Sequence, residues 1–143
     1  MPIIWRPQLS VGNPIIDRDH QYLICLINST ELVLRHPEDR GDIDIIMDQL
    51  QQYAEEHFER EEAMQYKVHF PGLAEHRAEH QRLLSDLSEL RAKIKSLVHS
   101  EPPSSASMIR ETVNVTGLLR DWLLNHVVKT DMKMKGYLDH CSV

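Results

Sequence analysis

Residues 55–80 read EEHFEREEAMQYKVHFPGLAEHRAEH, and this stretch decides the fold. His57 and Glu61 are four residues apart, as are His76 and His80. A spacing of four places two side chains on one face of an α-helix, about 6 Å apart. The turn-forming residues 69–72 separate the two pairs. The stretch therefore predicts two helices joined by a short turn, each carrying a pair of potential metal ligands on one face.

Helical periodicity extends through almost the whole chain, and strand-like alternation is absent. Apolar residues recur every three or four positions, which predicts helices over about 17–35, 42–66, 73–98 and 108–135, with Asp42 as a candidate N-cap. The connections 36–41, 67–72 and 99–107 are short, so consecutive helices should lie antiparallel as neighbours. We predict a single domain over residues 1–143. Its fold class is all-α, an up-down-up-down antiparallel four-helix bundle, with residues 1–16 as an N-terminal arm packed across it.

Composition excludes several classes of partner. The chain has 143 residues, 41% hydrophobic and 27% charged, which is enough for one domain with a sizeable core. Its net charge of −6 disfavours nucleic acid and anionic membrane surfaces, and no apolar run approaches the roughly 20 residues of a membrane span. The N-terminus shows no secretion signal. Two cysteines are too few for a disulfide framework, so we expect a cytoplasmic protein in which Cys25 is a core residue and Cys141 a spectator.

Five histidines occupy positions on the apolar stripes where Leu or Ile would be expected. A single histidine on such a face is usually a core residue satisfied by one hydrogen bond. Five of them, together with two carboxylates, would cost about 1–3 kcal/mol for each unsatisfied group, against a total domain stability of about 5–15 kcal/mol. A metal would compensate directly. The candidate ligands are His20, His57, Glu61, His76, His80, His126 and Asp131.

The predicted topology brings these groups together. They lie near the starts of the first and third helices and near the ends of the second and fourth, which share one end of an antiparallel bundle. All seven should therefore converge on one layer of the core. Asp131 is the least regular member, because five residues after His126 place it about 140° away from that face of a helix. Either the helix is distorted there, as in a π-bulge, or one side chain reaches sideways.

Seven ligands exceed the four of a tetrahedral zinc site and suit two ions of larger coordination number. Imidazole with carboxylate is appropriate to iron, and also to manganese, zinc or copper. If Glu61 and Asp131 each bridge, the seven residues make nine contacts, and a bridging oxo or hydroxo group adds two. Eleven of the twelve positions of two octahedral ions are then filled. The remaining position would be open to a small uncharged molecule such as O2.

The sequence resembles the hemerythrin family, in particular its bacterial branch. The resemblance is carried by His20 at the end of VGNPIIDRDH and by the motifs HFERE, HRAEH and HVVKTD. It implies a non-haem centre of two iron ions (Fe2+/Fe3+) that binds O2 reversibly, with Glu61 and Asp131 as bridging carboxylates. His76 and His80 would serve the coordinatively saturated iron together with a third residue, and spacing alone does not apportion His20 and His126.

The resemblance also implies an O2 pocket, lined by Leu23, Phe58, Trp122 and Val127. Three residues after the final Asp, animal oxygen carriers have a tyrosine, and here that position is Met134. The remaining histidines are expected to be solvated or to cap helix ends: His36, His69, His99 and His140.

The leading functional expectation is an O2-binding protein for carriage, storage or delivery. No residue stands out as a proton donor or substrate-binding group, so no catalytic residue and no dedicated enzyme is expected. The alternatives are an O2- or redox-sensing domain of a signalling protein, a di-iron peroxidase, a nitric-oxide-handling or iron-storage protein, and a structural zinc bundle. O2 is the expected partner, without nucleic acid or membrane, and a protein partner is unknown.

Overall fold

The computed structural model describes residues 2–36, 41–100 and 106–141. Within these ranges there is no strand, and the four long helices pack each against the next in the chain, with the last also packed against the first. The predicted all-α four-helix bundle is therefore confirmed. The predicted connections at 36–41 and 99–107 fall partly on residues 37–40 and 101–105, outside the described residues. In chain order the helices are a 3-10 helix at Pro7–Leu9, α1 (Pro14–Arg35), α2 (Ile43–Lys67), α3 (Leu73–Ser100), α4 (Ala106–Lys129) and a 3-10 helix at Asp131–Met134.

The core has two parts. A long apolar cluster fills the bundle, and burial of each of its Leu or Ile side chains stabilises the fold by about 1.5–3 kcal/mol. The N-terminal arm packs on this cluster through Ile3, whose backbone N–H and C=O both pair with the side-chain amide of Asn28 at 2.8 Å. None of the described helices is long and apolar enough to cross a bilayer. A second cluster closes one end of the bundle: Val11, Ile16, Met64, Phe70, Met134 and Leu138.

The first helix begins at Pro14 rather than near Asp17. Asn13 is its N-cap, and the side-chain oxygen accepts hydrogen bonds from the backbone N–H groups of Ile15 and Ile16 at 3.0 and 3.2 Å. Proline suits the first helical position because its missing N–H would be unpaired there in any case. The sequence Gly-Asn-Pro is therefore a helix start, and residues 14–16 belong to α1 instead of the arm.

The fourth helix ends at Lys129, six residues before the predicted end. Thr130 closes the last turn by donating its N–H to the carbonyl of His126 at 2.8 Å, and the chain then tightens into the 3-10 helix that starts at Asp131. The described part of α4 contains no π-bulge. The change of helix type turns the Asp131 side chain back into the core, which a continuous α-helix would not do.

Cys25 is exposed, so its prediction as a core residue is wrong. It lies two positions after Leu23 and two before Ile27, which are both buried. Two residues correspond to a rotation of about 200°, which places Cys25 on the opposite side of α1. The apolar character of the segment concealed this because Ile24 and Leu26 are also buried.

Candidate metal centre

All seven predicted ligands lie together at one end of the bundle, next to the second apolar cluster. Each side chain is at most 3% exposed, and Glu61 and Asp131 are completely buried. Five elements contribute to the group: α1, α2, α3, α4 and the 3-10 helix that begins at Asp131. Two sets of potential ligand atoms can be distinguished, and within each set the atoms lie within 4.8 Å of one another.

The first set contains five donors. Oε1 of Glu61 lies 3.5 Å from Nε2 of His76 and 3.2 Å from Nε2 of His80. Oδ1 of Asp131 lies 3.1 Å from Nε2 of His76 and 2.8 Å from Nε2 of His126. Three imidazole nitrogens and one oxygen from each carboxylate therefore surround a common point.

The second set contains four donors and uses the other oxygen of each carboxylate. Oε2 of Glu61 lies 3.2 Å from Nε2 of His57 and 3.9 Å from Nε2 of His20, and Oδ2 of Asp131 lies 3.1 Å from Nε2 of His20. Glu61 and Asp131 thus face both sets. The histidines that spacing left unassigned are separated here: His126 belongs with the five donors and His20 with the four.

The hydrogen-bonding state of these atoms fits cation binding. Both Glu61 oxygens are buried without a hydrogen-bond partner, as are the Nε2 atoms of His20, His57, His80 and His126. Their separations are short, but their directions do not form hydrogen bonds. Adjacent ligand atoms of an octahedral ion with bonds of about 2.1 Å lie about 3 Å apart, which matches the closest pairs in both sets. The residues therefore fit a pair of metal ions that share two carboxylates.

A buried hydrogen-bond network orients His57. Its Nδ1 donates to Asp19 Oδ2 at 2.9 Å, and the same carboxylate accepts from Tyr53 Oη at 2.7 Å and from Arg60 at 2.9 and 3.0 Å. Burial alone would raise the pKa of Asp19, but the bonds from His57, Arg60 and Tyr53 hold it well below its usual range. Spacing gives no signal for Asp19, because its partners all lie on another helix.

Two further carboxylates approach the outer nitrogens of the five-donor set. Glu62 lies 3.7 Å from Nδ1 of His80, and Glu79 lies 3.7 Å from Nδ1 of His126, both beyond hydrogen-bond distance. Glu62 is half-buried. The four histidines expected outside the site are all exposed: His36, His69, His99 and His140.

Electrostatics keep the two shared carboxylates ionised. Burial and the charge of Asp131 would raise the pKa of Glu61, but His57 and His80 outweigh them and lower it. Burial likewise opposes ionisation of Asp131, but the charge and close approach of His126, followed by the close approach of His20 and His76, hold its pKa well below its usual range. Both groups are thus anionic at neutral pH, which is the form that binds a cation.

Aromatic and apolar side chains enclose the centre. The Phe58 ring stacks on His80 with centroids 4.1 Å apart and lies 6.5 Å from Trp122, whose indole N–H donates to the carbonyl of Leu83 at 2.8 Å. Leu23 and Val127 are buried in the same cluster. Met134, at the position where the resemblance implies a tyrosine, is completely buried in the second apolar cluster, and its sulfur accepts a hydrogen bond from Gln65.

Comparison with known proteins identifies the family of this chain. The family described as "Hemerythrin HHE cation binding domain" matches residues 11–138. A myohemerythrin of Riftia pachyptila is 32% identical over 137 residues, which cover 96% of this chain and 94% of that protein. A bacteriohemerythrin of Stenotrophomonas maltophilia (strain R551-3) is 23% identical over 87% of this chain and 74% of its own length. A hemerythrin-like protein of Naegleria gruberi is 24% identical over 96% and 94%. The chain therefore belongs to the hemerythrin HHE cation-binding family.

Proposed function

We propose that this protein binds O2 reversibly at two iron ions held by the seven residues, and that it serves as an oxygen carrier, store or delivery protein. Hemerythrins in general are non-haem di-iron proteins that bind O2. In this proposal the five-donor set and the four-donor set would each hold one iron, and Glu61 and Asp131 would be shared between the two. When bound, the iron pair supplies the electrons that O2 accepts reversibly.

The observation that carries the proposal is the unequal division of the donors. One shared oxo or hydroxo group would complete six ligands on the five-donor side, with His76, His80 and His126. It would complete only five on the side of His20 and His57. One coordination position is then left for a small ligand. The unequal numbers of donors predict that it belongs to the ion on the side of His20 and His57.

The surrounding residues favour reversible binding over further chemistry. The pocket that we assign to O2 consists of Leu23, Phe58, Trp122 and Val127, whose side chains are all buried. Apolar walls exclude water and the proton donors that water would provide, and the Trp122 N–H is already bonded to Leu83. A bound O2 molecule would therefore leave more readily as O2 than as a protonated product.

An optical experiment tests the proposal. The iron-loaded protein is reduced without air, exposed to O2 and then degassed, while its visible spectrum is recorded. We expect a charge-transfer band that appears with O2 and disappears on degassing, together with about two irons and little zinc per chain by metal analysis. Direct conversion to an oxidised form, without an oxygenated state that reverses, would contradict reversible carriage.

Sensing is the second candidate, and the position of Asp131 favours it. This residue faces both the five-donor set and the four-donor set, and it is also the first residue of the 3-10 helix that leads into residues 135–141. A change in the oxidation state of the irons would therefore act directly on the backbone of that segment. If oxidation rather than oxygenation alters hydrogen exchange in residues 130–141, sensing is preferred over carriage.

A further inference from the structure

One carboxylate on each of the first three long helices is the sequence neighbour of a predicted ligand: Asp19 beside His20, Glu62 beside Glu61, and Glu79 beside His80. Neighbouring residues of an α-helix differ by a rotation of about 100°. Because the ligand faces the core, its neighbour lies on the flank of the helix. A carboxylate in that position can reach the next helix of the bundle.

Glu62 and Glu79 both approach the outer ring nitrogen of a predicted ligand on the next helix. Oε2 of Glu62 lies 3.7 Å from Nδ1 of His80 on α3. Oε1 of Glu79 lies 3.7 Å from Nδ1 of His126 on α4. Both Nδ1 atoms are buried without a hydrogen-bond partner. An inward shift of each half-buried carboxylate by about 0.8 Å gives a distance of about 2.9 Å, which is ordinary for an N–H···O bond.

Each of these two carboxylates also has an arginine on its solvent side. Arg82 donates to Oε1 of Glu79 at 2.5 Å, and this is the oxygen that faces His126. Nε of Arg77 lies 3.5 Å from Oε1 of Glu62. Both arginine side chains are more than half exposed. The carboxylates thus lie between an exposed guanidinium and a buried imidazole.

Asp19 shows the same arrangement with both bonds formed. It accepts from Nδ1 of His57 on the next helix at 2.9 Å, while Arg60 donates to the same carboxylate at 2.9 and 3.0 Å. A carboxylate in this position therefore bonds to an arginine and to the outer nitrogen of an imidazole at the same time.

Metal binding creates the need for such acceptors. When Nε2 of a neutral imidazole binds a cation, the ring proton is on Nδ1. A buried N–H group without an acceptor is unfavourable. A carboxylate that accepts this proton fixes the ring orientation and makes the imidazole a stronger ligand.

We propose that Glu62 and Glu79 are positioning residues of the five-donor set, which accept the Nδ1 protons of His80 and His126 when a metal ion is bound. They hold each ring with Nε2 directed at the ion. The inference rests on the proposed function only in requiring a metal ion among the five donors, and it does not depend on O2.

Zn2+ is the probe for the test, because it binds imidazole and carboxylate ligands and has no redox chemistry. The full chain is loaded with Zn2+ and titrated with a competing chelator. Glu62→Ala and Glu79→Ala should each lower the Zn2+ affinity about 10–100-fold. The corresponding glutamine variants keep an uncharged acceptor and should lose less. An affinity equal to that of the parent protein in either alanine variant would overturn the role of that residue.

Two control variants separate this role from a structural one. Arg82→Gln removes the ion pair of Glu79 but leaves its carboxylate beside His126, and an exposed ion pair contributes little to stability. Glu89→Ala removes an exposed negative charge on the same helix, ten residues further on and about 15 Å away. Both variants should bind Zn2+ like the parent protein. If Arg82→Gln weakens binding as much as Glu79→Ala does, the ion pair is responsible and the proposal is overturned.

Nuclear magnetic resonance of the 15N-labelled, Zn2+-loaded protein detects the bonds themselves. The Nδ1 protons of His80 and His126 should resonate downfield and exchange slowly with solvent. Glu62→Ala should remove the first of these signals and Glu79→Ala the second. Rapid exchange of both protons in the parent protein would overturn the proposal.

The outcomes also distinguish this inference from the proposed function. If the Zn2+ results are as expected but the optical experiment shows no reversible O2 binding, only the proposed function is refuted. If O2 binds reversibly and the alanine variants behave like the parent protein, only this inference is refuted. Failure of the parent protein to retain Zn2+ would overturn this inference, and failure to retain iron would refute the proposed function.

Discussion

Nδ1 of His57 donates a hydrogen bond to Oδ2 of Asp19 at 2.9 Å, and this bond leaves Nε2 of His57 directed at Glu61. The acceptor carboxylate therefore fixes the tautomer of the histidine as well as the orientation of its ring. His80 and His126 differ in this respect, since Glu62 and Glu79 lie 3.7 Å from their outer nitrogens. The imidazole of His57 is thus more firmly oriented than those of His80 and His126.

Asp19→Asn should weaken metal binding in the four-donor set. The amide keeps the size of the side chain but removes the negative charge that holds the Nδ1 proton of His57. Loss of such an outer partner typically lowers metal affinity about 10–100-fold. Metal loss to a competing chelator measures the effect, with Tyr53→Phe as a control that removes one bond to Asp19 and spares His57. Equal chelation rates for Asp19→Asn and the parent protein would refute the role of Asp19.

The metal-free protein should lose stability as the pH rises from 6.5 to 10. Burial would lower the pKa of His57, but the charge of Glu61, the bond to Asp19 and the close approach of Glu61 raise it from 6.5 to about 10. The pKa is thus higher in the folded state, so the stabilisation is complete below pH 6.5 and is lost as the pH rises through about 10. Urea denaturation measures the free energy of unfolding. The decrease in the free energy of unfolding with rising pH should be smaller in His57→Gln. An identical pH dependence in the variant and the parent protein would contradict the attribution of this decrease to His57.

Asn13→Ala should both destabilise the fold and accelerate metal loss. Asn13 caps α1, and its Nδ2 also donates to the carbonyls of Leu138 and Cys141 at 2.8 and 3.0 Å. Loss of the cap alone costs about 0.5–2 kcal/mol. Release of the C-terminal segment would additionally loosen Asp131, and chelator-driven metal loss should be faster.

Asn28→Ala is the matched control for this change. Asn28 also holds a terminal segment through two bonds, but that segment is the N-terminal arm at Ile3, which carries none of the seven ligands. We expect thermal denaturation to show destabilisation of both variants, with faster metal loss only in Asn13→Ala. Similar metal loss in the two would mean that the C-terminal segment does not support Asp131.

His80→Ala should lower the iron content and the melting temperature together. His80 contributes Nε2 to the five-donor set and packs its ring against Phe58 at 4.1 Å. Its removal leaves a buried cavity and takes away one of the three imidazole donors of the five-donor set. Metal analysis and calorimetry measure the two effects, and His69→Ala, which alters an exposed histidine, should change neither. Unchanged metal loading in His80→Ala would contradict its assignment as a ligand.

The parts of this centre that could be predicted from sequence are those encoded within single helices. The pairs His57/Glu61 and His76/His80 follow from a spacing of four, and their convergence follows from antiparallel topology. The sequence also predicts Asp131 as a ligand, but the entry of its side chain into the core depends on a change from α to 3-10 geometry after Lys129.

Other features depend on contacts between distant segments. Asp19 carries no periodic signal, because its function as an acceptor depends on three side chains of α2. The position of His126 in the five-donor set also depends on how α4 is rotated relative to the neighbouring helices. Sequence spacing fixes which face a residue occupies, whereas these features depend on how far each helix is turned and shifted against its neighbours.

The central claim is that two metal ions share Glu61 and Asp131. Anomalous diffraction at the iron absorption edge, from crystals of the iron-loaded protein, tests it most directly. We predict two iron peaks, one among His76, His80 and His126 and the other beside His20 and His57, with both carboxylates between them. A single peak, or metal bound away from these residues, would contradict the account.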